Sequence, residues 1–211
     1  SGCGKTPSLR MLAGLEEPTE GEIRLDGKRI NEIDSADRDT PMVWQSLALF
    51  PFLNVRQNVE FGLKMRRIPS RDRQQRAMEW LERLEIADLA ERDISQLSGG
   101  QRQRLSIARS IMLKPKLIVF DDSTAAIDAA TEQRIRAALA VLTKDRATII
   151  ISHRLSSLMH ADEILFIEEG KIVERGTHDE LLAIGGHYND LYELQIRPGE
   201  DGSLLGDDGD A

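Results

Sequence analysis

Two uninterrupted apolar runs, Leu117-Ile118-Val119-Phe120 and Thr148 to Ile151, constrain the fold most. A strand covered on both faces reads as continuous apolar sequence because neither face meets water, and such strands belong to parallel sheets flanked by helices. Between the two runs, Ile135, Ala138, Leu139 and Leu142 recur at helical spacing. Strand, helix, strand in this order predicts a right-handed βαβ unit and hence a parallel sheet. A chain of 211 residues can bury one real core around that sheet, and a second full domain is not expected.

The rest of the chain adds pieces to this α/β frame. Lys5 to Leu15 carries Leu9, Leu12 and Ala13 at helical spacing before Gly14 stops it. Glu22 to Leu25, the turn Asp26-Gly27 and Lys28 to Ile30 read as a β-hairpin. Met42 to Trp44 is a short strand ending at Gln45. From Val55 to Met112 strand signals fade, and Asp72 to Leu84 places Ala77, Met78, Leu81 and Leu84 on one stripe, predicting an amphipathic helix within a helical subdomain. Ile164 to Ile167, Glu169-Gly170 and Lys171 to Val173 predict a late hairpin. Arg197 to Ala211, rich in Gly and Asp, reads as a disordered acidic tail. The expected division is a discontinuous core (1–50 and 113–185), a helical subdomain (51–112), a terminal helix (186–196) and the tail.

Charge and cysteine usage narrow the function. Lys+Arg 28 against Asp+Glu 36 gives a formal charge of -8, which argues against nucleic acid as a partner. Cys3 is the only cysteine, so neither an internal disulfide nor a cysteine-based metal site can form. No apolar run approaches the roughly 20 residues of a membrane span, so membrane association is expected through partner chains or a fused segment.

Three segments carry chemistry. Ser1-Gly2-Cys3-Gly4-Lys5-Thr6 matches the back of the phosphate-binding loop Gly-x-x-x-x-Gly-Lys-Ser/Thr, whose first glycine would lie two positions before Ser1. Its glycines let backbone N–H groups curl around phosphate, the helix N-terminus adds positive potential, Lys5 reaches the β- and γ-phosphates, and the Thr6 hydroxyl ligates Mg²⁺. Alone, this segment also fits, less well, an ordinary loop before a helix. Second, the Leu117 run ends in Asp121, an acidic residue placed to reach a Mg²⁺ shell, or else a simple N-cap after a buried strand. Asp122 follows, where a carboxylate could orient or deprotonate attacking water. Third, Leu97-Ser98-Gly99-Gly100-Gln101 opens a helix with Ser-x-x-Gln capping-box spacing and two glycines that permit close approach to phosphate. Leu105, Ala108 and Ile111 give this helix an inward face until Pro115.

With Lys5, Asp121 and His153 in the same order, the Leu97–Gln101 segment resembles that of ATP-binding cassette ATPases, and the likeness covers nearly all of residues 1–190. The resemblance implies a P-loop NTPase core with a mainly parallel sheet, antiparallel hairpins and an inserted helical subdomain, binding ATP and Mg²⁺. It implies a head-to-tail dimer with two nucleotides between the chains, in which Ser98, Gly99, Gly100 and Gln101 act on ATP held by the other chain. Gln45 then contacts Mg²⁺ or the attacking water, His153 the γ-phosphate, and Asp128 belongs to the loop bridging the two sites. Transmembrane permease subunits, or a fused transmembrane domain, are the implied partners, at the cytoplasmic face of the membrane. A soluble cassette acting on nucleic acid fits less well, because nothing like a long coiled-coil insertion lies between Gln45 and Leu97.

The sequence departs from the family pattern in three ways. It opens inside the glycine-rich loop without a Met, so residue 1 is expected not to be a biological N-terminus, and without the preceding strands the chain is expected to be marginally stable and to bind ATP poorly. Pro7 stands where Ser or Thr is usual; it has no N–H for phosphate and disfavours helical geometry at Thr6. Asp122 replaces a usual Glu, withdrawing the carboxylate by roughly one C–C bond, about 1.5 Å. Segments around Trp44–Pro51 and Asn58–Leu63 resemble importer ATPases, whereas those from about Gln101 onward resemble the exporter type.

Overall fold

The computed structural model describes residues 4–38, 40–44, 46–121 and 147–196. These fall into two compact units, one over 6–151 and one over 152–196 with residues 4 and 5 grouped to it.

In the first unit, β3 (Met42–Val43), β4 (Leu117–Asp121) and β5 (Ala147–Ile151) form a parallel sheet in that order. Met42 pairs with Val119, Val43 with Phe120, and Leu117 through Asp121 with Ala147 through Ile151. The parallel arrangement agrees with the two apolar runs. The predicted crossover helix around Ile135 to Leu142 lies outside the described residues. β4 is buried along its four apolar residues, whereas β5, outer strand of the described sheet, is only half-buried.

Side-chain alternation along β4 divides the core. Leu117 and Val119 join Met42 against Leu9 of α1 (Lys5–Leu12) and Ala13 just after it. Ile118 and Phe120 turn the other way, with Val43, toward the helices α2 (Val55–Met65), α3 (Ser70–Arg83) and α4 (Gly99–Ile111).

Helix α1 stops as the sequence predicts. Gly14 sits at φ +76, Leu15 N–H donates to Arg10 O at 2.8 Å and Gly14 N–H to Met11 O at 3.2 Å, the paired bonds of a glycine-terminated helix end. Buried Arg38 completes that end: its Nη1 donates to Met11 O (2.7 Å) and Leu12 O (3.2 Å), while Nε and Nη2 hold Ile33 O and Asn31 O. A Cβ on Gly14 would lie 2.6 Å from Arg38 Nε, so this position needs glycine for both its backbone and its neighbour. The early hairpin, β1 (Arg24–Leu25) and β2 (Lys28–Arg29), turns through Asp26 (φ 50) and Gly27 (φ 74) as its two-residue signature requires.

Helix α2 was not individually legible, although Asn54 and Gln57 form a reciprocal capping box at its start. Behind the cap, buried Asn58 Nδ2 donates to the carbonyls of Phe50, Leu53 and Asn54 and its Oδ1 accepts from Phe50 N–H, fixing the chain entering α2. Helix α3 begins at Ser70, two residues before the predicted start at Asp72, because Pro69 sets the entry. Buried Glu60 ties α2 to α3, accepting from Arg56 at 2.5 Å and Arg73 at 2.9 Å.

In the second unit, β6 (Ile164–Glu168) and β7 (Lys171–Gly176) form the late hairpin, longer than predicted and bulged between Phe166 and Ile167. Helix α5 (His178–Ile184) carries a Thr177/Glu180 capping box that the sequence reading passed over, and α6 (His187–Ile196) follows. Leu155, Ile164, Leu181 and Tyr188 form the core of this unit. The tail 197–211 lies outside the described residues.

Candidate nucleotide site

Parallel strands end on one side, so the carboxyl ends of β3, β4 and β5 share an edge of the sheet. Alternation that turns Leu117 and Val119 toward α1 also turns Asp121 to that face, beyond the apolar contact. Asp121 is half-buried there and pairs with Ile151 in the ladder.

The same face receives α1. Gly4 precedes the helix at φ +86, and a Cβ there would meet nothing within 4 Å, so the backbone lies open to an approaching group. Lys5, Thr6 and Pro7 make the first turn, with Thr6 and Pro7 exposed. The backbone N–H groups of Lys5 and Thr6 have no acceptor within the helix, which is the arrangement that binds anions. Pro7 does not keep Thr6 out of the helix, contrary to the sequence expectation. At the third helical position it forfeits no intrahelical bond, because an N–H there has none to make; it removes one donor from the anion-binding turn.

A different kind of helix start stands at Ser98. Ser98 Oγ accepts from Gln101 N–H at 3.3 Å and Gln101 Oε1 from Ser98 N–H at 2.8 Å, the capping box its spacing predicts. Ser98 and Gly99 are exposed, and a Cβ on Gly99 would meet nothing within 4 Å, so this end too presents open backbone. Leu105, Ala108 and Ile111 are buried on the inward face, as predicted.

His153 belongs to the second unit. It is exposed, and its carbonyl accepts from Gln195 Nε2 at 2.8 Å. Ser1, Gly2, Cys3, Gln45, Asp122 and Asp128 lie outside the described residues. Arg38, which finishes α1, carried no sequence signal because its partners are backbone carbonyls.

The described residues fit a magnesium–nucleotide complex. They hold no group of three or more His, Cys, Asp or Glu able to cage a metal. Mg²⁺ needs no such cage, since one or two protein oxygens plus substrate phosphates and water complete its shell; among the described residues Thr6, in the first turn of α1, carries a hydroxyl and Asp121, at the end of β4, a carboxylate.

This is the P-loop NTPase type of fold, with a parallel sheet, antiparallel hairpins and packed helices. Residues 1–125 match the family described as ABC transporter, and the chain belongs to that family. The Fe(3+) ions import ATP-binding protein FbpC of Vibrio cholerae is 39% identical over 184 residues, covering 86% of this chain and 52% of the relative. The spermidine/putrescine import ATP-binding protein PotA of Haemophilus ducreyi is 38% identical over 184 residues, covering 86% and 50%. The chain thus spans about half the length of the curated relatives it matches. Among solved structures, a dimeric ATP-binding cassette in a post-hydrolysis state bound to ADP and Pi superposes with TM-score 0.76 at 28% identity, covering 84% of this chain and 82% of that one. A bacterial Atm1-family ABC exporter with ATP bound gives TM-score 0.81 at 31% identity, covering 93% of this chain and 35% of that one. Importer and exporter likeness therefore both have counterparts among the relatives. Among the described residues no helix is long and apolar enough to cross a membrane.

Proposed function

We propose that this chain is the ATP-binding and hydrolysing part of a membrane transporter, closing head-to-tail with a second cassette around two Mg·ATP and driving transmembrane permease partners from the cytoplasmic side. The observation that carries it is the pair of open helix starts in one cassette: an anion-receiving turn at Gly4–Thr6 and a self-capped one at Ser98–Gln101. Iron and polyamine import are properties of the relatives' names, and both remain candidates for the cargo.

In this reading Lys5 and the first-turn amides of α1 hold the phosphates, while Thr6 and Asp121, with Gln45, hold Mg²⁺. The bound nucleotide supplies the phosphoryl group that water attacks in line. Asp122 and His153 orient that water. Ser98, Gly99, Gly100 and Gln101 meet the nucleotide of the opposite cassette; Gln101 Oε1 is engaged at the cap, so its Nε2 is the end that faces phosphate. The division into a discontinuous core, a helical subdomain at 51–112 and a terminal helix goes with this assignment.

A second reading, an ATP-binding subunit with little hydrolysis of its own, draws support from Pro7 in the phosphate-binding turn and from Asp122. Turnover of Mg·ATP by the full-length protein with its permease partner tests the first reading, and Asp122→Glu tests the second. A rise of about tenfold or more with glutamate favours the regulatory subunit, since misplacement of a catalytic group on this scale alters rates by up to about 10²-fold. No ATP binding by the wild-type complex would overturn both.

A further inference from the structure

Helix α4 is fastened to the segment between β3 and α2 at an unusual place. Leu47 and Ala48 sit at φ 61 and 43, two consecutive non-glycine residues in left-handed backbone. Such conformations persist only where their surroundings impose them. Here the surroundings are one face of α4: Ser106 Oγ donates to Leu47 O at 3.1 Å, and the Arg109 guanidinium donates from Nη1 to Ala48 O at 2.5 Å and from Nη2 to Leu47 O at 3.2 Å. The guanidinium also lies 5.3 Å from the Phe50 ring centroid, and Phe50 packs on Phe61 of α2 at 4.3 Å. Burial alone pulls the Arg109 pKa down, and the fork is spent on two carbonyls. A planar fork holding adjacent carbonyls fixes orientation as well as distance, which a single point charge cannot do.

Arg109 stands 11 residues beyond Ser98 on one unbroken helix, about 16 Å along its axis. We propose that Arg109 is a positioning residue that locks the left-handed Leu47-Ala48 turn to α4, so that the segment following β3 and the Ser98–Gln101 helix start shift as one body when nucleotide enters. The proposal rests on the nucleotide-binding assignment and adds a rigid connection between two parts of that site.

The test is amide exchange in the full-length complex with and without Mg·ATP, together with steady-state turnover. In the wild type, nucleotide slows exchange in 46–53 and 98–105 together. In Arg109→Met the response at 46–53 shrinks by about fivefold or more while 98–105 still responds. Turnover falls by about tenfold in kcat with KM changed by less than about twofold, and Arg109→Lys recovers part of it. Arg104→Met is the control, because Arg104 Nη1 makes a similar clamp from α4 onto the carbonyls of Leu84 and Glu85, away from the turn. Equal losses of kcat in the two Met variants, or joint responses of both segments in Arg109→Met, overturn the lock. A wild type whose two segments ignore Mg·ATP overturns the nucleotide assignment itself, and the lock with it.

Discussion

Helices α1 and α4 begin in opposite ways, although both are assigned to the same ligand. The residue before α1 is glycine, which has no side chain to cap the helix, and in the proposed function the amides of Lys5 and Thr6 receive phosphate. The residue before α4 is a serine whose hydroxyl and partner glutamine satisfy two backbone donors internally. The first end has no side-chain cap of its own before Lys5, whereas the second is capped by Ser98 and Gln101 and can meet an anion with that cap in place. In the proposed function the first kind receives the chain's own nucleotide and the second meets that of a second cassette.

The largest effect that can break this comparison is at Lys5. Lys5→Ala is expected to lower ATP turnover by about 100-fold or more while leaving the melting temperature unchanged; a fall of less than about tenfold would remove α1 as the receiving end. Next, Pro7→Thr restores a donor to that turn, and a charge-assisted hydrogen bond of about 1.5 kcal/mol corresponds to roughly tenfold tighter ATP in a titration. At α4 the sign of the effect moves from ligand to fold. Ser98→Ala should destabilise the protein by about 1 kcal/mol even without nucleotide, and Ser98→Gly by only a few tenths, measured by chemical denaturation.

The smallest effect separates α4 from α5, whose capping box ends in a carboxylate. Hydrogen bonds from Thr177, first from its backbone N–H and then from its hydroxyl, hold Glu180 below the ordinary carboxylate range. A folded-state pKa below the unfolded one means stability present above the unfolded value and lost as pH falls through the folded one. Acidification through the lowered Glu180 pKa should therefore reduce the protection factor of the Thr177 amide, its exchange rate relative to the intrinsic rate at the same pH, but not that of Ser98, whose partner Gln101 does not titrate, and Glu180→Gln should flatten the difference.

How much of this was legible followed from how local the signal was. The sheet was readable because Leu117 to Phe120 is apolar without a break, and the ends of α1, α3 and α4 because Gly14, the stripe to Leu84 and Ser98-x-x-Gln101 act within a few residues. Helix α2 lies inside the predicted helical subdomain without bounds of its own, because its Asn54/Gln57 box is not the Ser/Thr-x-x-Glu/Gln form, and α5, seven residues long, is too short for periodicity to mark. Arg38 and Arg109 had no legible role. Each holds carbonyls from 5 to 62 residues away, and a carbonyl is the same at every position of a sequence. Pro7 was read too harshly at the level of local geometry, because its place inside the first turn, where no bond is lost, appears only once the helix start is fixed at Lys5.

β4 acts as a party wall between two apolar clusters. Odd-numbered residues from Leu117 to Asp121 look onto α1, and even-numbered Ile118 and Phe120 onto the packed helices. Substitutions one position apart on this strand should therefore be inherited by different parts of the machine, one by its hold on phosphate and the other by the helices behind Ser98. If the proposed function holds, parity of residue number over these five positions separates effects on nucleotide binding from effects on the helices behind Ser98.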